Sequence, residues 1–367
     1  MLTLHSDCTT QDTPTRRVLV KATRADPVAT WQPTADRVLR TAARMTSAAT
    51  SKVSGPPFFI IGCVRSGTTM LRNILRLHPN LASPEETHFF RWSDPFGSPG
   101  YRHVVTKNPV LRRHRELDGV TEAEFEAMLQ ASTSRADLCT RYIQHYVSLR
   151  KPTARRWFDK SPQNAYGAAM LAGEFPRGKF LHIVRNPVNV VASLRIGKVM
   201  KMDDLVGACS YWNEAIENLA LLQRAHPRRV LTLSYEKFTA DPLEGIRDVL
   251  AFIGEPFDAA HFADVVTKEV RHEEAGILTD DELAKVRSLC QTGRLMHGYG
   301  TEEEMEAERQ REATRLKRRE SHAAAVSTAP GDMPGKPAAG AKAVSKEPGA
   351  PRTGKPAGPV HETKRKA

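Results

Sequence analysis

Two spacings of apolar residues alternate along this chain. Short runs in which nearly every position is apolar, at Phe58–Ile61, around Trp157, at 180–184 and at 230–235, read as strands buried on both faces. Between them, apolar residues recur three to four apart, which predicts helices over 68–77, 187–194, 204–224 and Pro242–Ile253. Strand and helix taking turns predicts an α/β fold of three layers, a central parallel sheet flanked by helices. Residues 90–150 interrupt the pattern with His, Arg and Pro and with helical periods near 122–130 and 138–149, so they read as a helical insertion on the side where a substrate would enter. A further helix over 280–296 closes a domain that spans 56–300. An extension of 1–55 precedes it, partly helical through an amphipathic segment at 34–48. After it, 301–367 begins as a charged helix and continues as an Ala/Pro/Gly/Lys-rich tail with too little apolar surface to fold, which predicts disorder.

The first strand runs into Gly62-Cys63-Val64-Arg65-Ser66-Gly67-Thr68-Thr69 and then directly into a helix. The two glycines have the spacing of a Walker A loop, but Thr68 stands where that loop has lysine, and Arg65 sits inside it. The Walker lysine and its metal ion neutralise a triphosphate during phosphoryl transfer, so a loop without that lysine suggests another anion. Backbone N–H groups over Arg65, Ser66, Gly67, Thr68 and Thr69, at the positive end of a helix, still suit a phosphate, and the Arg65 fork adds charge. A phosphosulfate fits, because its terminal group bears one charge and positioning can suffice without a metal. The plainer reading is an ordinary strand–loop–helix turn with two glycines.

The segment 179–194 turns from strand to helix at Asn186-Pro187, with Pro187 suited to a first helical turn. Arg185 emerges at the carboxyl end of the strand, where open α/β sheets bind ligands, and Ser193 follows about two turns along the helix. Both could reach one phosphate; alternatively Arg185 is a surface charge and Ser193 a packing residue. His182, within the strand, reads as a packed core histidine.

Taken in order, IIGCVRSGTTMLRNILRLHPN, EETHFF, WFDKSPQNA, KFLHIVRNPVNVVASL and LSYEKFTADPLEGIRDVLAFIG resemble the sulfotransferases that use 3′-phosphoadenosine 5′-phosphosulfate (PAPS), in particular the bacterial relatives of the tyrosylprotein sulfotransferases. The resemblance covers most of 58–257 and implies a P-loop-NTPase-like fold, a PAPS donor, no required metal and a hydroxyl-bearing acceptor. It implies that Arg185 and Ser193 bind the 3′-phosphate, that Lys160 lies near the bridging oxygen, and that Tyr235 lies on the adenine side. Of Glu85 and Glu86, it selects Glu86 as the base, because the second glutamate of E-E-T keeps its 21-residue interval from the loop arginine. The family then has arginine where this chain has His88, a departure that bears on a tyrosyl-peptide acceptor. Other readings remain for these residues: Glu85-Glu86 as the first turn of a helix, Asp159 paired with Lys160, and Tyr235 as an aromatic closing a strand.

The formal net charge of +12 suits an anionic nucleotide without specifying one. No groove-reading motif points to nucleic acid, and no secretion signal or membrane span is legible, which leads to the expectation of a cytoplasmic protein. Five cysteines without C-x-x-C spacing indicate neither zinc nor a disulfide framework. The competing enzyme class is a nucleotide-dependent kinase with a degenerate Walker A loop, which would require Mg²⁺ and ATP. A nucleotide-binding scaffold is the non-enzymatic alternative.

Overall fold

The computed structural model describes residues 15–20, 55–197, 200–270 and 276–327; the helix expected over 34–48 and the tail from 328 lie outside them. The strands in chain order are β1 (Thr15–Val20), β2 (Phe58–Ile61), β3 (Leu81–Ala82), β4 (Arg156–Lys160), β5 (Lys179–Val184), β6 (Val230–Ser234) and β7 (Val265–Val270). Five of them form a parallel sheet in the order β3-β4-β2-β5-β6, with the loop-bearing β2 at its centre. This is the expected three-layer, P-loop-like architecture, and it places the ends of β2, β4, β5 and β6 along one edge.

Alternation along β2 builds both faces at once. Phe58 and Ile60 join Phe158 and Leu181 against Leu71, Ile74 and Leu75 of the helix Thr68–Leu75 and Ile246, Val249 and Leu250 of Pro242–Ile253. Phe59 and Ile61 face the other way and join Trp157, Phe180, Val190, Trp212 and Leu219. The Phe58 and Phe158 rings stack at 4.6 Å between centroids, and Phe59 and Phe180 at 5.6 Å. Each such side chain removed from water contributes about 1.5–3 kcal/mol, so β2 is held rigidly and the loop at its end inherits that rigidity.

Several boundaries differ from the expectation. The first helix ends at Leu75 rather than 77, because the chain tightens there: the Leu77 N–H bonds the Ile74 carbonyl, three residues back. Tyr235 does not close β6 but opens the short helix Tyr235–Ala240, capped by the Ser234 hydroxyl, which accepts from the Lys237 N–H. The helix expected over 280–296 breaks at Cys290 into Asp280–Leu289 and Gln291–Met296. Two unexpected helices, Pro99–Lys107 and Pro109–Asp118, precede the two expected in the insertion, Glu122–Ala131 and Arg135–Arg150. A ribbon of β1 antiparallel to β7 was also unforeseen. Glu302–Ser327 is helical as expected; the compact unit that carries the sheet runs to Arg309, and the next begins at Gln310. Among the described residues, no helix is long and apolar enough to cross a membrane.

Candidate active site

The loop after β2 is built for close approach. Gly67 takes φ 93°, and a Cβ there would lie 2.5 Å from the Tyr235 ring, so the ring rests directly on the loop backbone. At Gly62 a Cβ would lie 2.6 Å from the Ile183 carbonyl oxygen of β5. Arg65 adopts φ 67°, a left-handed conformation uncommon outside glycine. The helix that follows starts at Thr68 with no side-chain cap among the described residues, which leaves its first N–H groups for an anion. The hydroxyl of Ser66, a residue only 1% exposed, has no hydrogen-bond partner among the described residues. A buried polar atom of that kind at a loop of this shape fits an anionic group supplied from outside.

Lys160, at the carboxyl end of β4, is 1% exposed and donates to Thr69 Oγ1 at 3.1 Å and to the Glu86 carboxylate. Burial lowers the Lys160 pKa, and Glu86 opposes that fall. The second Glu86 oxygen pairs with His88 Nε2 at 2.9 Å. Burial alone would push the Glu86 pKa up, but the bonds from His88 and Lys160 outweigh it and hold the carboxyl far below its usual range. Glu85 has a different fate: Arg72 donates to it at 2.6 Å and Arg76 at 3.3 Å. The neighbours are therefore told apart by what they touch, Glu85 being a structural ion-pair partner and Glu86 facing the loop. Neither lies in a helix. Lys160 pairs with Glu86 rather than with Asp159.

Asp159 acts elsewhere. It accepts from the Thr87 hydroxyl at 3.1 Å, Ser161 at 3.2 Å and Asn164 at 3.0 Å, and the Ser161 hydroxyl accepts from the N–H groups of Thr87 and His88. Fully buried, its carboxyl is pushed up to about 6. This network zips the E-E-T-H segment to the end of β4, which sets Glu86 against Lys160. From the insertion, His114 Nδ1 donates to the Glu86 carbonyl at 3.0 Å, and its ring stacks on His88 at 5.7 Å. Asp118 accepts from the Glu85 N–H at 2.8 Å and from Tyr142 at 2.6 Å.

On the other side of the loop, Arg65 Nε donates to Ser193 Oγ at 2.9 Å, while an Arg185 guanidinium nitrogen donates to the Arg65 carbonyl at 3.1 Å. Arg185 also lies over the Tyr235 ring, 4.6 Å from its centre. The loop, Lys160 and Glu86 thus form one cluster, and Arg65, Arg185, Ser193 and Tyr235 another that shares the loop. His182 is buried in the core, as expected.

A model described as the sulfotransferase family matches residues 56–259. The chain belongs to that family. Among curated relatives, protein-tyrosine sulfotransferase 2 of Gallus gallus is 26% identical over 204 residues, 54% of this chain and 51% of the relative. Nodulation protein NoeE of Sinorhizobium fredii is 26% identical over 231 residues, 62% of this chain and 48% of the relative. The chain thus spans about half the length of these curated relatives. Among solved structures, the sulfotransferase domain from the Synechococcus PCC 7002 olefin synthase is 25% identical, covers 66% of this chain and 88% of that one, and superposes with a TM-score of 0.47.

The supporting residues of this site were less visible in the sequence than the candidate site residues themselves. Asp159 and Ser161 gave a partial signal, since both lie in the F-D-K-S-P motif that carries Lys160. His114 gave none, because the Glu86 carbonyl it contacts lies 28 residues away in the chain.

Proposed function

We propose that this chain moves a sulfuryl group from PAPS to a hydroxyl of an acceptor in one in-line step. The observation that carries the reading is the convergence of Lys160, Glu86 and Thr69 at the uncapped start of the loop helix. Ser66, Gly67, Thr68 and Thr69 would hold the 5′-phosphosulfate, Arg185 and Ser193 the 3′-phosphate, Arg65 bridges the two sides, and Tyr235 borders the nucleoside. In the transfer, an acceptor oxygen lone pair forms the new bond to sulfur as the bond from sulfur to the 5′-phosphate oxygen breaks. The bonding electrons remain on that phosphate oxygen, where Lys160 offsets the growing charge. The acceptor proton passes to Glu86.

In the resting site Lys160 and Glu86 hold each other. A phosphosulfate offers Lys160 a competing anion, and as the lysine turns to it, Glu86 loses one of the two partners that depress its proton affinity. The base therefore strengthens when the donor is in place. No resident metal is needed for this step, and the family match favours it over the kinase reading. The relatives named for protein tyrosine make a tyrosyl peptide the first acceptor to try, followed by simple phenols and glycans. The test is PAPS turnover across that panel: Glu86→Gln and Lys160→Met should each lower the rate about 10²-fold or more, and unchanged rates in both would overturn the assignment.

A further inference from the structure

Arg185 is one residue between three anchored atoms. On its amino side, the Val184 carbonyl accepts from the Tyr299 hydroxyl at 3.2 Å; on its carboxyl side, the Asn186 N–H donates to Glu236 Oε1 at 2.9 Å. Its own carbonyl accepts from Trp212 Nε1 at 3.2 Å. The first two anchors are joined, because the Tyr299 hydroxyl shares its proton with Glu236 Oε2 at 2.7 Å. Ser234 donates to the same carboxylate oxygen at 3.2 Å.

Tyr299 reaches this position from beyond residue 259, where the family match ends. The turn that carries it is fixed on its own account. Arg294 donates to the Tyr299 carbonyl at 2.9 Å and grips both oxygens of Glu304 at 2.9 and 2.6 Å, while the Tyr299 N–H returns to the Arg294 carbonyl at 2.9 Å. Burial, then the adjacent Glu236 charge, keep the Tyr299 hydroxyl protonated.

We propose that Tyr299 and Glu236 act as one brace that sets the position of Arg185 and so gives the donor site its selectivity for a nucleotide bearing a 3′-phosphate. The proposal rests on the reading in which Arg185 binds that phosphate. Neither brace residue has to touch the nucleotide: both hold backbone on either side of the arginine. A planar fork is productive only within a narrow range of positions, so a small shift of its backbone is felt at the phosphate. An unbraced Arg185 would still carry its charge but would no longer present it at one place.

The test uses the full chain and calorimetric titration with adenosine 3′,5′-bisphosphate and with AMP, which lacks the 3′-phosphate. Tyr299→Phe removes only the hydroxyl and should weaken bisphosphate binding about threefold to tenfold, the worth of an ordinary hydrogen bond, with AMP binding unchanged. Glu236→Ala should act in the same direction, and the double variant should lose less than the two losses combined, because both act through one chain of bonds. Equal weakening of both nucleotides would make Tyr299 and Glu236 general supports of the fold and overturn the brace, as would no weakening. Should Tyr299→Phe fail to fold, Glu236→Gln, which keeps the side-chain shape, gives the same readout. Arg185→Ala separates the two levels. If it leaves the preference for the bisphosphate intact, the 3′-phosphate reading itself falls; if it abolishes the preference while the brace variants do not, only the brace falls.

Discussion

Gly67→Ala tests the loop geometry most sharply, because two costs can be worked out and then separated. The first is backbone: at φ 93° an alanine sits in left-handed space, which costs about 1–2 kcal/mol. The second is steric, since the new Cβ would lie 2.5 and 2.7 Å from two carbons of the Tyr235 ring, where ordinary contact begins near 3.4 Å. The ring must retreat by about 1 Å, and overpacking of this kind costs about 1–3 kcal/mol. The sum of about 2–5 kcal/mol should lower the unfolding temperature by about 4–20 °C. Because Arg185 rests on the same ring at 4.6 Å, affinity for adenosine 3′,5′-bisphosphate should fall as well, by about tenfold. Calorimetry and thermal unfolding read both effects. In a Tyr235→Ala background the steric cost vanishes and only the backbone cost remains, so Gly67→Ala should be markedly milder there. A penalty of equal size in both backgrounds, or a loop variant as stable as the parent, would refute the reasoning.

Glu86→Gln should lower turnover by about 10²- to 10⁴-fold while leaving bisphosphate affinity within a few fold, as measured by turnover and titration side by side; loss of binding as well would make Glu86 structural. Arg185→Ala should weaken the bisphosphate far more than AMP, and equal weakening would remove its 3′-phosphate role. Asp159 predicts a pH effect with a definite sign. Its pKa is raised by burial to about 6 from an ordinary 3.8, so the folded state binds the extra proton and the stabilisation is complete below pH about 4. It is lost as pH rises through about 6, a swing of about 3 kcal/mol at most. Urea unfolding of the parent and of Asp159→Asn between pH 4 and 7 should show the parent losing ground to the variant as pH rises, and parallel curves would contradict the assignment.

Lys160 and Arg185 were legible because they lie at or just after the carboxyl end of a strand, and Thr69 because it lies in the first turn of a helix, each within its own short motif. A parallel sheet then aligns those ends without further information: Phe58–Ile61 lies between Arg156–Lys160 and Lys179–Val184, so Lys160 and Arg185 had to flank the loop that leads to Thr69. The helices Pro99–Lys107 and Pro109–Asp118 were legible in principle, since Ser98-Pro99 and Asn108-Pro109 are cap-and-proline starts, but the His and Arg content of the segment obscured their apolar faces. Tyr235 was misplaced for a local reason: the apolar run continues through it, while the Ser234 hydroxyl redirects the backbone into a helix. Glu85 and Glu86 cannot be separated locally, because the difference lies in Arg72 and Arg76 on one side and Lys160 and His88 on the other. Tyr299 was out of reach altogether, its partners Val184 and Glu236 being distant in sequence.

The central claim is a donor site shaped for a nucleotide with a 3′-phosphate and a 5′-phosphosulfate. Its most direct measurement is calorimetric titration of the full chain with adenosine 3′,5′-bisphosphate, beside AMP and ATP–Mg²⁺. Tight, metal-independent binding that prefers the bisphosphate is the predicted result, and preference for ATP–Mg²⁺, or binding of none of the three, would contradict it.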